Sequence, residues 1–158
     1  MQNTTKQFEI TRVGDVTAEH WQLLLRADPS QNMIQKYLQA GKTFEIRRDD
    51  QLVAIMVLQE TTPATLEIKN IATAPEFENR GFATQLLQFA IDYAKERDYP
   101  ELQIGTGSTS FKQLYLYQKM GFRITDVKRD FFVNNYDQPI HEGGLLLQDM
   151  VVLTCDLT

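Results

Sequence analysis

The chain has 158 residues, 42% of them hydrophobic and 23% charged, and its formal net charge at pH 7 is −5. This size and composition predict a single globular domain over residues 1–158, with enough apolar residues for a core of its own. The acidic balance argues against broad nucleic-acid binding, which normally needs a basic surface, and weakly favours a cationic partner such as an amine.

The chain shows no sign of export or membrane insertion. Residues 1–7 lack the apolar core of a secretory signal, and no stretch has enough consecutive apolar residues to span a bilayer. The single cysteine, Cys155, excludes an internal disulfide and fits a reducing compartment. We therefore expect a cytoplasmic protein, with Cys155 as a packed thiol in a carboxy-terminal strand. His20 and His141 lack metal-ligand spacing, so we expect no metal.

The first part of the chain predicts strands that alternate with helices. Thr17 and Ser30 are suitable N-caps for two helices, and Gly41 ends the second helix. Residues 52–58 are apolar without interruption, as expected of a central strand covered on both faces. The predicted elements are a strand at 8–13, helices at 17–26 and 30–40, a hairpin of strands 43–48 and 52–59, and, after a break at Pro63, a strand at 66–73.

The second part of the chain opens with the most regular helix, over residues 81–97. Its apolar residues recur at helical spacing: Ala83, Leu86, Leu87, Ala90, Ile91 and Ala94. After it we predict a strand at 101–105, a loop at 105–108, a helix at 110–120 ended by Gly121, a strand at 122–127, a long segment at 128–144 and a closing strand at 145–157. This alternation predicts an α/β fold with a mixed sheet.

Residues 77–87, with the sequence Phe-Glu-Asn-Arg-Gly-Phe-Ala-Thr-Gln-Leu-Leu, join the strand at 66–73 to the long helix. A helix that begins after a small-residue loop forms an anion site, because its first backbone N–H groups lack partners and its dipole is positive there. Gly81 and Ala83 keep side-chain bulk away, and Arg80 adds a positive charge. The segment therefore predicts a ligand that carries a diphosphate. The alternative is an ordinary strand-to-helix turn that uses glycine for backbone freedom.

Two segments of the chain carry motifs of one family, in the family's order. Residues 78–83 read Glu-Asn-Arg-Gly-Phe-Ala, similar to an acetyl-CoA pyrophosphate loop of the form Gln/Arg-x-x-Gly-x-Gly/Ala. Residues 116–122 read Leu-Tyr-Gln-Lys-Met-Gly-Phe, similar to the signature Leu-Tyr-x-x-x-Gly-Phe. Together they make most of the chain resemble the GNAT superfamily of N-acetyltransferases. The resemblance implies an acyl-CoA N-acyltransferase-like fold, with a mixed, largely antiparallel central sheet flanked by helices.

The resemblance also implies acetyl-CoA as co-substrate and a set of residues that bind it. Backbone N–H groups at the end of the strand before the loop would polarise the thioester carbonyl, and Ile71, Ala72 and Thr73 occupy that strand end. The pyrophosphate would lie on the loop and the first helical turn, formed by Asn79, Arg80, Gly81, Phe82, Ala83 and Thr84.

The chain departs from the family pattern at two positions. Glu78 stands where the family prefers Gln or Arg, and a carboxylate beside a pyrophosphate is unfavourable unless it points outward. Ser110 stands where many members have Asn. Its hydroxyl either replaces that contact with the cofactor or caps the helix that follows.

Acyl transfer from a thioester needs a neutral amine and a leaving thiolate that is protonated or stabilised. By the resemblance, Tyr117 is the candidate general acid for the thiolate. The alternative is a half-buried core aromatic residue whose hydroxyl is hydrogen-bonded within the protein. Tyr115 lies about 200° away around the helix, so only one of the two tyrosines can face the cofactor. Glu67 is the candidate general base, because it precedes Glu78 by the spacing found in histone-acetylating members. A surface ion pair with Lys69 is the alternative for Glu67.

The sequence leaves the acceptor amine open, whether small molecule or protein. The aromatic residues of the segment at 128–144 can line an acceptor pocket, cover the core or form a dimer contact. A homodimer is plausible by the resemblance, because members often pair through their last strands. The function predicted is N-acetyl transfer by direct attack in a ternary complex. The alternative is a non-catalytic CoA-binding regulatory or interaction module of the same fold.

Overall fold

The structure is a computed structural model that describes residues 8–158. The amino-terminal residues 1–7, for which the sequence predicts no secretory signal, lie outside the described residues. Among the described residues, no helix is both long and apolar enough to cross a membrane.

Nine strands and five helices occur among the described residues, with a short 3₁₀ turn at Pro75–Phe77. The strands are β1 (Ile10–Arg12), β2 (Lys42–Arg48), β3 (Gln51–Thr62), β4 (Thr65–Thr73), β5 (Glu101–Gly107), β6 (Arg123–Lys128), β7 (His141–Glu142), β8 (Leu145–Leu146) and β9 (Met150–Asp156). The helices are α1 (Ala18–Ala27), α2 (Gln31–Ala40), α3 (Phe82–Glu96), α4 (Phe111–Lys119) and α5 (Phe131–Asn135).

The first of two compact units comprises residues 8–59 and 70–89. Its strand order is β1-β2-β3-β4, and the β1–β2 and β2–β3 pairings are antiparallel. Asp49 and Asp50 close the β2–β3 hairpin with positive φ angles of 50° and 65°. Residues 52–58 of β3 are buried throughout, which confirms the predicted central strand.

The second compact unit comprises residues 60–69 and 90–158. Its strand order is β4-β5-β9-β6. β4 runs parallel to β5, with Thr65 opposite Glu101 and Ile68 opposite Ile104, whereas β9 is antiparallel to both β5 and β6. β7 and β8 form a separate antiparallel ribbon.

These pairings confirm the predicted α/β class, with a mixed and largely antiparallel sheet flanked by helices. That the whole chain forms one domain stays a prediction. The predicted helix starts are also confirmed. Thr17 and Ser30 are the N-caps of α1 and α2, and the Ser30 hydroxyl accepts a hydrogen bond from the Met33 N–H at 3.2 Å.

A buried histidine joins α1 to β2. Thr17 donates its backbone N–H to Nδ1 of His20 at 2.9 Å, so the ring hydrogen lies on Nε2 and points to Oε2 of Glu45, 2.8 Å away. Arg47 places its Nε 3.1 Å from the same carboxylate oxygen. Burial raises the pKa of Glu45, but the hydrogen bonds from His20 and Arg47 outweigh it and lower the pKa below its usual value.

Three predicted boundaries were wrong, all in the second half of the chain. Residues 105–107 continue β5 instead of forming a loop, because Gly105 pairs with Val152 and Gly107 with Met150. The segment at 128–144 contains the short helix α5, and the closing strand at 145–157 is divided into β8 and β9. Cys155 is a buried thiol in β9, as predicted, and burial raises its pKa.

Candidate active site

The loop between β4 and α3 is held by two aromatic rings. Phe77 and Phe82 are buried and pack edge to face, with ring centroids 6.0 Å apart. Between them the backbone turns sharply, since Asn79 and Gly81 have positive φ angles of 62° and 86°. A positive φ favours glycine at position 81, because residues with a Cβ atom are sterically strained in this conformation.

The first turn of α3 begins directly after this loop. Gln85 donates the first helical hydrogen bond, to the Gly81 carbonyl at 3.0 Å, so the N–H groups of residues 82–84 precede the helical ladder. A Cβ atom added to Gly81 would meet no protein atom within 4 Å. The guanidinium of Arg80 lies 5.7 Å from the centre of the Phe77 ring. The loop therefore presents backbone donors, a positive dipole and a cation beside open space, as an anion site requires.

Glu78 forms an ion pair with Arg26 of α1. Its carboxylate lies 3.4 Å from the guanidinium of Arg26, and both side chains are about half exposed at 44% and 50%. An exposed ion pair contributes little stability, but the positive charge of Arg26 offsets the negative charge of Glu78, which would otherwise be unfavourable beside a pyrophosphate.

The end of β4 is anchored from α1 and α2. The Asn70 amide donates to the Leu24 carbonyl at 3.0 Å and to the Tyr37 hydroxyl at 2.9 Å. Side chains alternate along the strand, so Ala72 is buried while Ile71 and Thr73 are partly exposed. This strand end lies in the same compact unit as the loop at 77–83.

Tyr117 lies in the second compact unit, on α4. It is only 5% exposed, and its ring centroid lies 6.3 Å from that of Phe122. Burial raises the pKa of the Tyr117 phenol well above its ordinary value, so the group is protonated at neutral pH. Within residues 8–158 the phenol has no hydrogen-bond partner, which leaves its O–H available to a ligand.

Glu67 lies on β4 in the same unit as Tyr117 and pairs with its strand neighbour. Oε2 of Glu67 lies 2.6 Å from Nζ of Lys69, and the two side chains are 17% and 28% exposed. Residues two apart on a strand share a face, which brings the charges together. The ion pair predicted as the alternative for Glu67 is therefore present, and the carboxylate remains partly accessible.

Ser110 is at the N-cap position of α4, but its hydroxyl does not cap the helix. Its hydroxyl donates to the carboxylate of Glu142, 2.9 Å from Oε2, and Thr109 donates to the same oxygen at 3.2 Å. Glu142 belongs to β7, and no sequence motif singled it out.

Residues 140–149, called the strap below, are fixed to the turn between β5 and α4 at three points. The first is the Glu142 carboxylate, and the second is a backbone hydrogen bond of 3.0 Å from Ser108 N–H to the Asp149 carbonyl. The third is the buried side chain of Leu147, whose Cδ1 occupies the space that a Cβ on Gly107 would need. Gly107 thus makes room for Leu147, and it belongs to β5, where the sequence predicted a loop.

The aromatic residues of the segment at 128–144 pack on one another. The ring centroid of Phe132 lies 5.2 Å from that of Phe131 and 5.5 Å from that of Tyr136. The three rings therefore form one aromatic cluster in the second unit. No three His, Cys, Asp or Glu side chains among residues 8–158 are grouped to hold a metal ion.

The sequence is similar to known acetyltransferases. The sequence model of the Acetyltransferase (GNAT) family matches residues 13–122. The N-acetyltransferase YvbK of Bacillus subtilis (strain 168) is 43% identical over 139 residues, which make up 88% of this chain and 90% of that protein.

Two crystal structures are similar over nearly their whole length. A GNAT family acetyltransferase from Elizabethkingia anophelis, with acetyl-CoA bound, has a TM-score of 0.91 and 43% identity, over 95% of this chain and 98% of that one. A Bacillus subtilis acetyltransferase in complex with CoA has a TM-score of 0.91 and 40% identity, over 96% of this chain and 100% of that one.

Proposed function

Because the chain belongs to the GNAT family of acetyltransferases, we propose that it transfers the acetyl group of acetyl-CoA directly to an amine. The observation that carries this proposal is the loop at 77–83, with its backbone donors and the open space at Gly81. The two similar crystal structures, which contain acetyl-CoA and CoA, support the choice of donor. The loop residues Asn79, Arg80, Gly81, Phe82, Ala83 and Thr84 would hold the pyrophosphate.

Backbone N–H groups at the end of β4, those of Ile71, Ala72 and Thr73, are the proposed donors that polarise the thioester carbonyl. Hydrogen bonds placed where negative charge develops on the carbonyl oxygen stabilise the tetrahedral intermediate. This role uses only backbone atoms, so it does not depend on the side chains at these positions, which are two apolar groups and one hydroxyl.

Tyr117 is the proposed proton donor to the departing thiolate. Its phenol is protonated at neutral pH and has no partner within residues 8–158, so the O–H can turn to the sulfur. Ser110 shares the Tyr117 helix. Because its hydroxyl already donates a hydrogen bond to Glu142, we propose that Ser110 positions the strap rather than contacting the cofactor.

Glu67 is the proposed base that removes a proton from the attacking ammonium, directly or through water. Lys69 keeps the carboxylate in place, and the remaining exposure of Glu67 allows water to reach it. The acceptor proposed is a primary amine. The net charge of −5 favours such a cation over an anionic substrate.

We place the enzyme in the cytoplasm, where a free buried thiol such as Cys155 stays reduced. A homodimer through β6 is also proposed. Every residue of this strand is exposed, and its apolar side chains Ile124 and Val127 are 51% and 49% exposed.

The test is calorimetric titration with acetyl-CoA, CoA and NADH, followed by thiol release from acetyl-CoA in a panel of primary amines. We expect micromolar binding of both CoA species, no binding of NADH, and release with one class of amine. Binding of CoA without release on any amine would support the non-catalytic alternative. Absence of CoA binding would overturn the assignment of the loop.

A further inference from the structure

Glu142 is a half-buried carboxylate held in a defined orientation. Both of its oxygens lie near the Ser110 hydroxyl, at 2.9 and 3.2 Å, and the Thr109 hydroxyl lies 3.2 Å from Oε2. The backbone around it is fixed as well, through Ser108 and the buried side chain of Leu147. The side chain is therefore oriented by hydrogen bonds from Thr109 and Ser110, and the backbone on either side of it is also in contact with the rest of the unit.

The Glu142 carboxylate has no cationic partner among the described residues. Within residues 8–158 its carboxylate makes no ion pair with Lys, Arg or His. A carboxylate offers about four acceptor positions, and two hydroxyl hydrogens occupy only two of them. The remaining positions are suited to the N–H groups of a bound cation. Because the group is partly withdrawn from water, such a contact would be stronger than one at an exposed carboxylate.

Glu142 is bound at the beginning of the helix that carries Tyr117. Ser110 and Tyr117 are seven residues apart, so they lie on the same face of α4, about 10 Å apart along its axis. A group bound to Glu142 therefore lies about two helical turns along α4 from the position of Tyr117, and would be a different group from the one that reacts there.

We propose that Glu142 binds a cationic group of the acceptor other than the nitrogen that attacks the thioester. The attacking nitrogen must be neutral when it reacts, so a carboxylate cannot hold it as an ammonium through the transition state. A second ammonium group keeps its charge throughout and can stay bound to Glu142. The acceptor class that this chemistry selects is a diamine or polyamine. This inference rests on the proposed function, since it concerns the acceptor of the same reaction.

Glu142 also pins the strap, and two substitutions separate that role from charge recognition. Glu142→Gln keeps an oxygen that accepts from Ser110 and Thr109 but removes the charge. Asp137→Asn removes one charge from an exposed side chain shortly before the strap and serves as the matched control. Ser110→Ala removes the hydroxyl that orients the carboxylate. Its melting temperature, with that of Glu142→Gln, reports any loosening of the strap.

The test is calorimetric binding to the CoA-saturated protein of the diamines from 1,4-diaminobutane to 1,8-diaminooctane, each against the alkylamine of equal length. A charge-assisted hydrogen bond is worth about 1.4 kcal/mol or more, so at least one diamine should bind about tenfold tighter than its monoamine. Glu142→Gln should abolish this preference without weakening the monoamine, Asp137→Asn should keep it, and Ser110→Ala should reduce it.

The proposal is overturned if no diamine binds better than its monoamine, or if Glu142→Gln weakens both equally or leaves the preference intact. Thiol release from acetyl-CoA, measured with the same amines, separates the two claims. A diamine preference without thiol release would keep the cation site and remove the proposed acetyl transfer. Thiol release without a diamine preference would keep the transferase and remove the cation site.

Discussion

Tyr115 and Tyr117 lie on opposite sides of α4, with 69% of Tyr115 exposed and only 5% of Tyr117. Two residues along a helix are separated by about 200°, so a single turn directs one ring outward and the other inward. The pair therefore provides two phenols on one helix, only one of which is placed in the protein interior.

Replacing Tyr117 with Phe should lower kcat about 10- to 100-fold, because only the proton donor to the thiolate is lost. The dissociation constant of acetyl-CoA should change little, since the ring and its packing on Phe122 remain. Tyr115→Phe is the matched control and should have wild-type kinetics. Wild-type turnover in Tyr117→Phe would exclude this residue as the general acid.

Replacing Gly81 with Val should weaken acetyl-CoA binding about tenfold or more, because the side chain fills the space at the loop and opposes a φ of 86°. Gly144→Val is the control for backbone strain, since Gly144 has a φ of 80° and also faces open space. Titration calorimetry should show normal affinity in that control. Equal affinity in both variants would mean that the pyrophosphate binds elsewhere.

The Glu45 carboxylate should stabilise the fold more at neutral pH than in acid. Its pKa in the folded protein lies below the ordinary value of 4.5, so its contribution is complete above that value and is lost as pH falls through the folded pKa. Glu45→Gln should lower the free energy of unfolding by about 1 kcal/mol at pH 7.

Urea unfolding of both proteins between pH 7 and pH 3 measures this difference directly. The gap between wild type and Glu45→Gln should narrow below about pH 4.5. A gap that stays constant with pH would show that the carboxylate adds no more as an anion than as a neutral group.

Gly41→Ala should cost about 2–3 kcal/mol, because the new Cβ would lie 2.5 Å from the Leu58 carbonyl oxygen and 2.8 Å from that of Tyr37. Both obstacles are backbone atoms, which cannot rotate away. At Gly14 a Cβ meets nothing within 4 Å, so Gly14→Ala should be neutral or stabilise by less than about 1 kcal/mol. Equal melting temperatures for the two variants would contradict the close approach of α2 and β3.

Local signals in the sequence were sufficient for most of the first half of the fold. The helix caps Thr17 and Ser30 act within one turn, and the apolar run 52–58 requires cover on both faces. The second half was harder, because β5 is extended to Gly107 by pairing with β9, more than forty residues later. Glycines at 105 and 107 suggested a loop, but they are there to accommodate the side chains of Met150 and Leu147.

The candidate site was predictable to the extent that it depends on motifs. The loop at 77–83 and Tyr117 belong to short sequence motifs, which can be recognised without knowledge of the fold. Glu142 belongs to none, since its importance comes from hydroxyl groups about thirty residues earlier in the chain. Ser110 was recognised for its position, but its partner could be found only from the folded chain.

Because Cys155 is buried, the folded protein should react little with the reagents that are used to detect free thiols. The chain has no other cysteine, and in the folded state this one is covered and its pKa is raised by burial, so it reacts slowly with disulfide reagents. A colorimetric assay for released CoA therefore has little background from the enzyme. After denaturation the same reagent reacts with one thiol per chain, so the amount of thiol that reacts measures the fraction of unfolded protein.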